Sequence, residues 1–448
     1  MTDMHMQPES GSEGEAPLSS QTVQYTGRYI VVFADEVSGD SDAMTEALGS
    51  VAGVNSVANS MDYEAGAVDA DDSLGADATV FAELGVAVVD SDPTQTGAME
   101  AAVASDSRIL AVEPERILYA IDDSGNISPS MDYVRGFRDA TVALYEGLSG
   151  EDASKADAEA LAEAAFSDSA QFTWGLVATK ASTSTRHGKG IRVAVLDTGF
   201  DLKHPDFGGR KVTSKSFITG QEVQDAHGHG THCVGTSCGP LSPQGSRRYG
   251  VATGADIFVG KVLSNEGSGS DSGILAGINW AVANKCQIIS MSLGADIRQV
   301  SRAYERVGRR AMAAGCLVIA AAGNNANRSG GNPGFVGVPA NSPSILAVAA
   351  VDSRMRIANF SARSNPVGGG KVDIAGPGVA VYSSWPMPKR YHTISGTSMA
   401  TPHVAGLAAL WAQSTGKTGT ALWSAVLGAT RQLALPDADV GAGLAQAP

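Results

Sequence analysis

Cysteine is scarce in this chain, four residues in 448, which excludes a small scaffold stapled by disulfides. Cys233 and Cys238 fall on one predicted helix and diverge, while Cys286 and Cys316 each precede a strand and are expected as buried thiols. Long apolar runs are missing too. No uninterrupted stretch reaches the roughly 20 residues of a membrane-spanning helix, so no membrane role is expected. Residues 1–22 are acidic and polar and lack the basic and apolar regions of a secretory signal. Basic residues are nearly absent from the first part of the chain. Residues 1–172 hold 6 Lys/Arg against 33 Asp/Glu, a net −27, whereas residues 173–448 hold 26 against 14, a net +12. The basic charges of the second part are dispersed rather than clustered, so no nucleic-acid partner is expected. Complementary charge implies instead that the two parts bind each other, with salt weakening the association.

A chain of this length holds more than one domain, and the shift in composition puts a boundary near residue 172. Four regions follow: an acidic disordered tail at 1–25, a small folded unit at 26–120, an acidic, partly helical linker at 121–172, and a large domain at 173–448. In the small unit, strands are expected over 28–33, 78–89 and 109–120 and helices over 40–49 and 94–104. Two strand-like segments in 78–89 give a βαββαβ order, a ferredoxin-like α+β fold. The linker has helical periodicity over 132–148 and an alanine-rich helix over 153–166. In the large domain, apolar strands at 193–197, 257–261, 288–292, 318–322, 346–351 and 372–375 alternate with helices at 230–238, 270–283, 297–314 and 397–413. That alternation predicts a doubly wound α/β domain with a mostly parallel sheet.

Three short motifs in this domain carry chemistry. Residues 395–406, Ser-Gly-Thr-Ser-Met-Ala-Thr-Pro-His-Val-Ala-Gly, deliver Ser398 to the start of an apolar helix. Serine there could merely cap the helix. It could equally attack a carbonyl, with free N–H groups around the resulting oxyanion. The strand ending in Asp197-Thr-Gly places a carboxylate at a strand's C-terminal end, and His227-Gly-His229-Gly-Thr-His232-Cys is a glycine-rich histidine cluster. Asp197, His229 and Ser398 supply the orienting acid, base and nucleophile of a triad. The competing reading, zinc held by the histidines, lacks both His-Glu-x-x-His and Cys-x-x-Cys.

Together, Asp-Thr-Gly, His-Gly-Thr-His and Gly-Thr-Ser-Met-Ala-Thr-Pro-His resemble the three signatures of the subtilisin-like serine proteases. The likeness runs from about residue 174 to the C-terminus, and the cysteine after His-Gly-Thr-His resembles the proteinase K branch. It implies an endopeptidase with His229 as base and Asn324, in Ala-Ala-Gly-Asn, as oxyanion donor worth about 3–4 kcal/mol in this enzyme class; Asn325 is the alternative if the register slips. His232 is expected to pack against the strand layer and His227 to lie at the cleft rim. Residues 29–36 and 109–116 resemble the two ends of a subtilisin-type propeptide. That implies a self-inhibited zymogen cut somewhere between Ala120 and Trp174.

The resemblance extends to binding residues. Gly267, Ser268 and Gly269 would form one edge for an extended peptide and Ser292, Leu293 and Gly294 the other, with Ala321, Ala322 and Gly323 lining the first specificity pocket. Small residues there imply broad activity favouring hydrophobic or aromatic side chains before the cut. No cofactor is expected for catalysis. A structural calcium is implied at Pro343, Ile345 and Asp373, and Asp206 matches a second calcium ligand of the family. The partners implied are protein or peptide substrates and the chain's own N-terminal unit, with the enzyme a monomer. Family resemblance points to secretion, which the N-terminal residues do not themselves indicate. A catalytically silent binding protein or an esterase with the same triad are the competing functions; the intact set of four catalytic groups argues against the first and the strand-pairing edges against the second.

Overall fold

A computed structural model describes residues 23–49, 54–68, 75–90, 101, 103–121, 166–365 and 370–448. The helix expected over 132–148, all but the last residue of that over 153–166, most of that over 94–104, and the tail at 1–22 lie outside these residues.

The N-terminal unit contains β1 (Tyr25–Phe33), α1 (Ser41–Leu48), β2 (Val57–Asn59), β3 (Ala78–Phe81), β4 (Val86–Val89) and β5 (Ile109–Ala120). The alternation read over 78–89 is a hairpin, β3 pairing antiparallel with β4 around Gly85, whose φ of 71° suits glycine. The sheet order is β5-β1-β4-β3-β2, with β1 antiparallel to both neighbours. The strands alternate. Val31, Phe33, Val80, Ala87 and Val89 pack on Met44, Ala47 and Leu48 of α1. Ile30, Val32, Phe81, Val86 and Val88 instead join the core of the larger domain. One face of this small sheet therefore depends on the larger domain for its burial.

The larger domain carries β6 (Arg192–Asp197), β7 (Val212–Ser216), α2 (His229–Cys238), β8 (Asp256–Lys261), β9 (Ser268–Ser270) and α3 (Asp271–Ala283). Next come β10 (Ile288–Met291), β11 (Leu293–Gly294), α4 (Arg302–Ala313), β12 (Leu317–Ala321), β13 (Leu346–Val351), β14 (Ile374–Pro377), the hairpin β15–β16 (Val381–Ser384 and Tyr391–Ile394) and α5 (Thr397–Thr415). Seven strands form an all-parallel sheet in the order β14-β13-β12-β10-β6-β8-β7. Both faces are covered, so the strands read as apolar runs. Val193, Val195, Ile288 and Ile319 face α2 and α5, while Ala194, Leu196, Ile289 and Val318 face α3 and α4. The expected helix over 297–314 begins at Arg302 because Ser301 caps it, its hydroxyl accepting from Tyr304 N–H.

β5 joins the two units. Beyond its pairing with β1, its last residues run antiparallel to β9 on one side and β11 on the other.

Candidate active site

The parallel sheet puts its chemistry beyond the C-terminal ends of its strands. Asp197 ends β6, Asn324 follows β12, His229 opens α2 and Ser398 lies in the first turn of α5. Asp197 Oδ1 is 2.7 Å from His229 Nδ1 and accepts the Thr198 N–H at 2.7 Å. Burial alone would lower the His229 pKa, but the Asp197 carboxylate beside it reverses that and holds it well above the ordinary value. His229 Nε2 makes no hydrogen bond to a described residue, and Ser398 Oγ donates to Ser292 O at 3.0 Å. The histidine and serine are thus brought to one site without being bonded to each other.

Further groups fix this arrangement. Asp225, four residues ahead of His229, accepts from the N–H groups of His227, Gly228 and Thr231 and from the Thr198 and Thr231 hydroxyls. It ties the residue after Asp197 to the start of the His229 helix. Sequence reading missed it, although a carboxylate just before a glycine-rich helix start is a capping signal. Gly228, at φ 107°, leaves room for Trp385; a Cβ there would lie 2.3 Å from its ring. Lys261, fully buried, donates to Thr198 O and to Asn265 Oδ1. His232 Nε2 meets Val381 O at 3.0 Å on β15, and His227 lies against Gly267 at the cleft. Cys233 Sγ is 3.9 Å from His229 Nδ1, and burial pushes its thiol up to about 11. All four cysteines are free thiols.

A peptide segment already occupies the cleft. Ile117, Leu118 and Tyr119 pair with Ser270, Gly269 and Ser268, while Tyr119 and Ala120 pair with Gly294 and Leu293. Ala120 N–H donates to Gly267 O at 2.9 Å and Ile121 N–H to Ser292 O at 3.2 Å. Asn324 Nδ2 donates to Ile121 O at 3.3 Å, and its Oδ1 is anchored by the Thr397 N–H and hydroxyl at 3.0 and 2.9 Å. Asn325 points elsewhere, bonded to Asp296 and Phe335. Glycine at 294 is required by this packing, since a Cβ would meet Ile121 Cδ1 at 2.8 Å and Val338 O at 2.7 Å. Ala322 and Gly323 sit buried between β12 and Asn324. Leu118 is fully buried against the body, a contribution of about 2–3 kcal/mol.

The two expected calcium positions differ. Asp206, expected as a ligand, is already satisfied by protein groups. Its carboxylate accepts from Tyr249 Oη at 2.8 Å, Arg390 Nη2 and Tyr391 Oη at 2.9 Å and Gln244 N–H at 3.1 Å. The Arg390 guanidinium supplies the cation, so no calcium site is assembled there. Asp373 accepts from Ala347 N–H at 3.0 Å, and its nearest basic group, Lys371 Nζ, stays 3.7 Å from Oδ1. Burial pushes Asp373 up to about 6.

Among the described residues no helix is long and apolar enough to cross a membrane. The model of the subtilase family matches residues 188–443. The chain is 39% identical over 234 residues to subtilisin DY of Bacillus licheniformis, covering 52% of this chain and 80% of that protein. It is 41% identical over 263 residues to a cuticle-degrading protease of Metarhizium anisopliae, covering 55% of this chain and 61% of the relative. Subtilisin E of Bacillus subtilis (strain 168) is 41% identical over 223 residues, covering 50% of this chain and 55% of that one. With the three motifs converging at the ends of one parallel sheet and the family model spanning more than half of its length, the chain belongs to the subtilase family, the subtilisin-type serine endopeptidases.

Proposed function

We propose that the chain is a self-inhibited zymogen that cuts its own backbone after Ile121 and then hydrolyses protein substrates in the same groove. One observation carries this reading: the Ile121 carbonyl lies at the Asn324 amide, with β5 clamped between β9 and β11. Ser398 is the nucleophile. Rotation about its Cα–Cβ bond takes Oγ from Ser292 O towards His229 Nε2, which accepts its proton as Oγ attacks the carbonyl carbon. Asp197 holds Nδ1–H and stabilises the imidazolium. Asn324 Nδ2 and the Ser398 N–H stabilise the oxyanion, and both are preorganised, Asn324 through its two bonds from Thr397. Imidazolium then protonates the leaving amine. Water, deprotonated by the regenerated His229, releases the acyl group.

The pocket beside Gly294 takes an isoleucine side chain in the zymogen, which supports a preference for hydrophobic residues before the cut. Mass spectrometry tests the reading. Wild type should yield a new N-terminus at Asp122, or one trimmed further towards residue 166, while Ser398→Ala should stay at 448 residues. An intact but fully active chain would sink the proposal.

Asp373, with the carbonyls of Pro343 and Ile345, fits a hard cation: its carboxylate is buried, and the lysine paired with it at 3.7 Å is itself largely exposed. Calcium there would supply structural charge neutralisation and take no part in the reaction. A chelator should lower the melting temperature of wild type by several degrees and leave Asp373→Asn unmoved. Equal shifts in both proteins would remove the ion from this position.

A further inference from the structure

Arg116 lies six residues from the carbonyl end of the bound segment, counting Ile121 as the first. Its side chain leaves β5 and enters the larger domain between the N-termini of α3 and α4, where only 6% of the residue is exposed. Arg116 Nε donates to Asp271 Oδ2 at 2.9 Å, and its backbone N–H donates to the same oxygen at 2.9 Å. Nη2 donates to Ser301 Oγ at 2.9 Å and to Glu113 Oε2 at 3.2 Å. Tyr304 Oη holds the other carboxylate oxygen of Asp271 at 2.7 Å, and the guanidinium lies 5.8 Å from the Tyr304 ring centroid. Asp271 and Tyr304 are fully buried.

Three of these partners, Asp271, Ser301 and Tyr304, belong to the larger domain, and only Glu113 belongs to the strand that carries Arg116. The sign of the pair also runs against the overall charge split: a cation of the acidic unit meets an anion of the basic one. A buried carboxylate held by Tyr304 on one oxygen and meeting Arg116 with the other, a hydroxyl and an aromatic face form a socket shaped for a guanidinium. The socket remains on the body when the N-terminal unit departs, at the far end of the groove that substrates enter.

We propose that Asp271, Ser301 and Tyr304 form a sixth substrate subsite that selects arginine, so that the mature enzyme prefers polypeptides with arginine six residues before the cut bond. This rests on the reading that β5 occupies the groove in the register of a substrate. It extends recognition well past the apolar pocket beside Gly294. The site binds and positions; it touches no reacting atom.

The test uses enzyme matured from the full chain and acylated peptides that follow residues 116–123, Arg-Ile-Leu-Tyr-Ala-Ile-Asp-Asp, with the first position changed to Lys, citrulline or Ala. Arginine should raise kcat/KM over alanine by about tenfold or more, mostly through KM, since a buried, hydrogen-bonded charge pair is lost in the alanine peptide. Citrulline, with the shape but not the charge, should fall near alanine. Asp271→Asn should bring the arginine-to-alanine ratio to within about twofold, and Tyr304→Phe should lower it partway. Rates within twofold across the series on wild type would overturn the subsite while leaving the protease reading intact. Failure to cleave any of the peptides after the isoleucine would overturn the substrate register, and the subsite with it. If Asp271→Asn does not mature, the wild-type series alone decides.

Discussion

The two folded units solve burial in opposite ways. The catalytic body covers both faces of its parallel sheet with its own helices, and its strands are apolar on both sides. The N-terminal sheet packs one face on α1 and lends its other face to α3 and α4 of the body. Its polar contacts follow the same division. Glu115 Oε1 accepts the Ser272 N–H at 2.8 Å and Glu113 Oε1 accepts the Arg302 N–H at 2.6 Å, so two carboxylates of one unit cap two helices of the other. The association expected from net charge is therefore built largely from buried hydrogen bonds, with exposed ion pairs only at the rim. The body holds the candidate site; the small unit lays the end of β5 across it, between β9 and β11.

Removing a group that belongs to the body's chemistry should separate the two roles most sharply. Asn324→Ala is expected to lower kcat on peptide substrates by about a hundredfold to a thousandfold. The same change removes a single 3.3 Å bond from the N-terminal unit, so affinity for the cleaved unit should fall by no more than about fivefold. Parallel losses in both would mean that Ile121 is not seated as a substrate carbonyl.

Glu115 tests the opposite side. It is fully buried, holding Ser272 N–H, Thr26 and the Arg28 guanidinium, whose Nε is 2.7 Å away. Glu115→Ala should weaken the hold of the cleaved N-terminal unit by roughly thirtyfold to a hundredfold. It should leave kcat of the freed enzyme unchanged. The dissociation constant of the cleaved, still associated unit reads this directly, and a change under threefold would refute the capping account.

The groups that meet at the candidate site were legible because each is local to a motif. Asp197 ends a strand, Asn324 follows one, and His229 and Ser398 lie in the first turns of helices. The seating of Ile121 beside Asn324 was not legible, because it is set by the pairing of β5 with β9 and β11, more than 140 residues away. Asp206 misled for a related reason. Tyr249, Arg390 and Tyr391, separated from it by 43 to 185 residues, fill the place that a motif reading gave to calcium. The β15–β16 hairpin was missed as well, since Val381–Ser384 and Tyr391–Ile394 are short and mostly polar and show no apolar run.

Acid should discriminate between the units. His232 and His403 are buried in the body, where desolvation pushes their pKa values down to about 3 and about 4. A folded-state pKa below the unfolded value near 6.5 gives stability that is present above about pH 6.5 and lost as pH falls towards 4. Each histidine can remove up to about 1.4 kcal/mol per pH unit in that window. His392, partly desolvated, shifts the same way, and His229, which burial alone would lower but the Asp197 carboxylate raises, titrates above this window and adds no slope within it. The described N-terminal residues contain no histidine. Denaturation of full-length Ser398→Ala at pH 7, 6 and 5 should show the body losing stability with acid, and a flat or rising profile would contradict the assignment of neutral, buried imidazoles.

The smallest expected effect lies at the rim, and it decides how much of the association is charge in the simple sense. Asp35 pairs with Arg306 and lies 3.8 Å from Arg309, but its side chain is 64% exposed. Exposed pairs of this kind contribute about 0.2–1 kcal/mol, and salt screens them over a Debye length of roughly 10 Å or less. Asp35→Asn should therefore loosen the N-terminal unit at most about fivefold at low salt and not measurably at 1 M salt. Glu115→Ala should keep its full effect at both, because water and counter-ions do not reach the cap. If the Asp35 change instead matched the Glu115 change, or survived high salt, the net charge of the two units would hold them together after all, and the buried caps would be a consequence of docking rather than its cause.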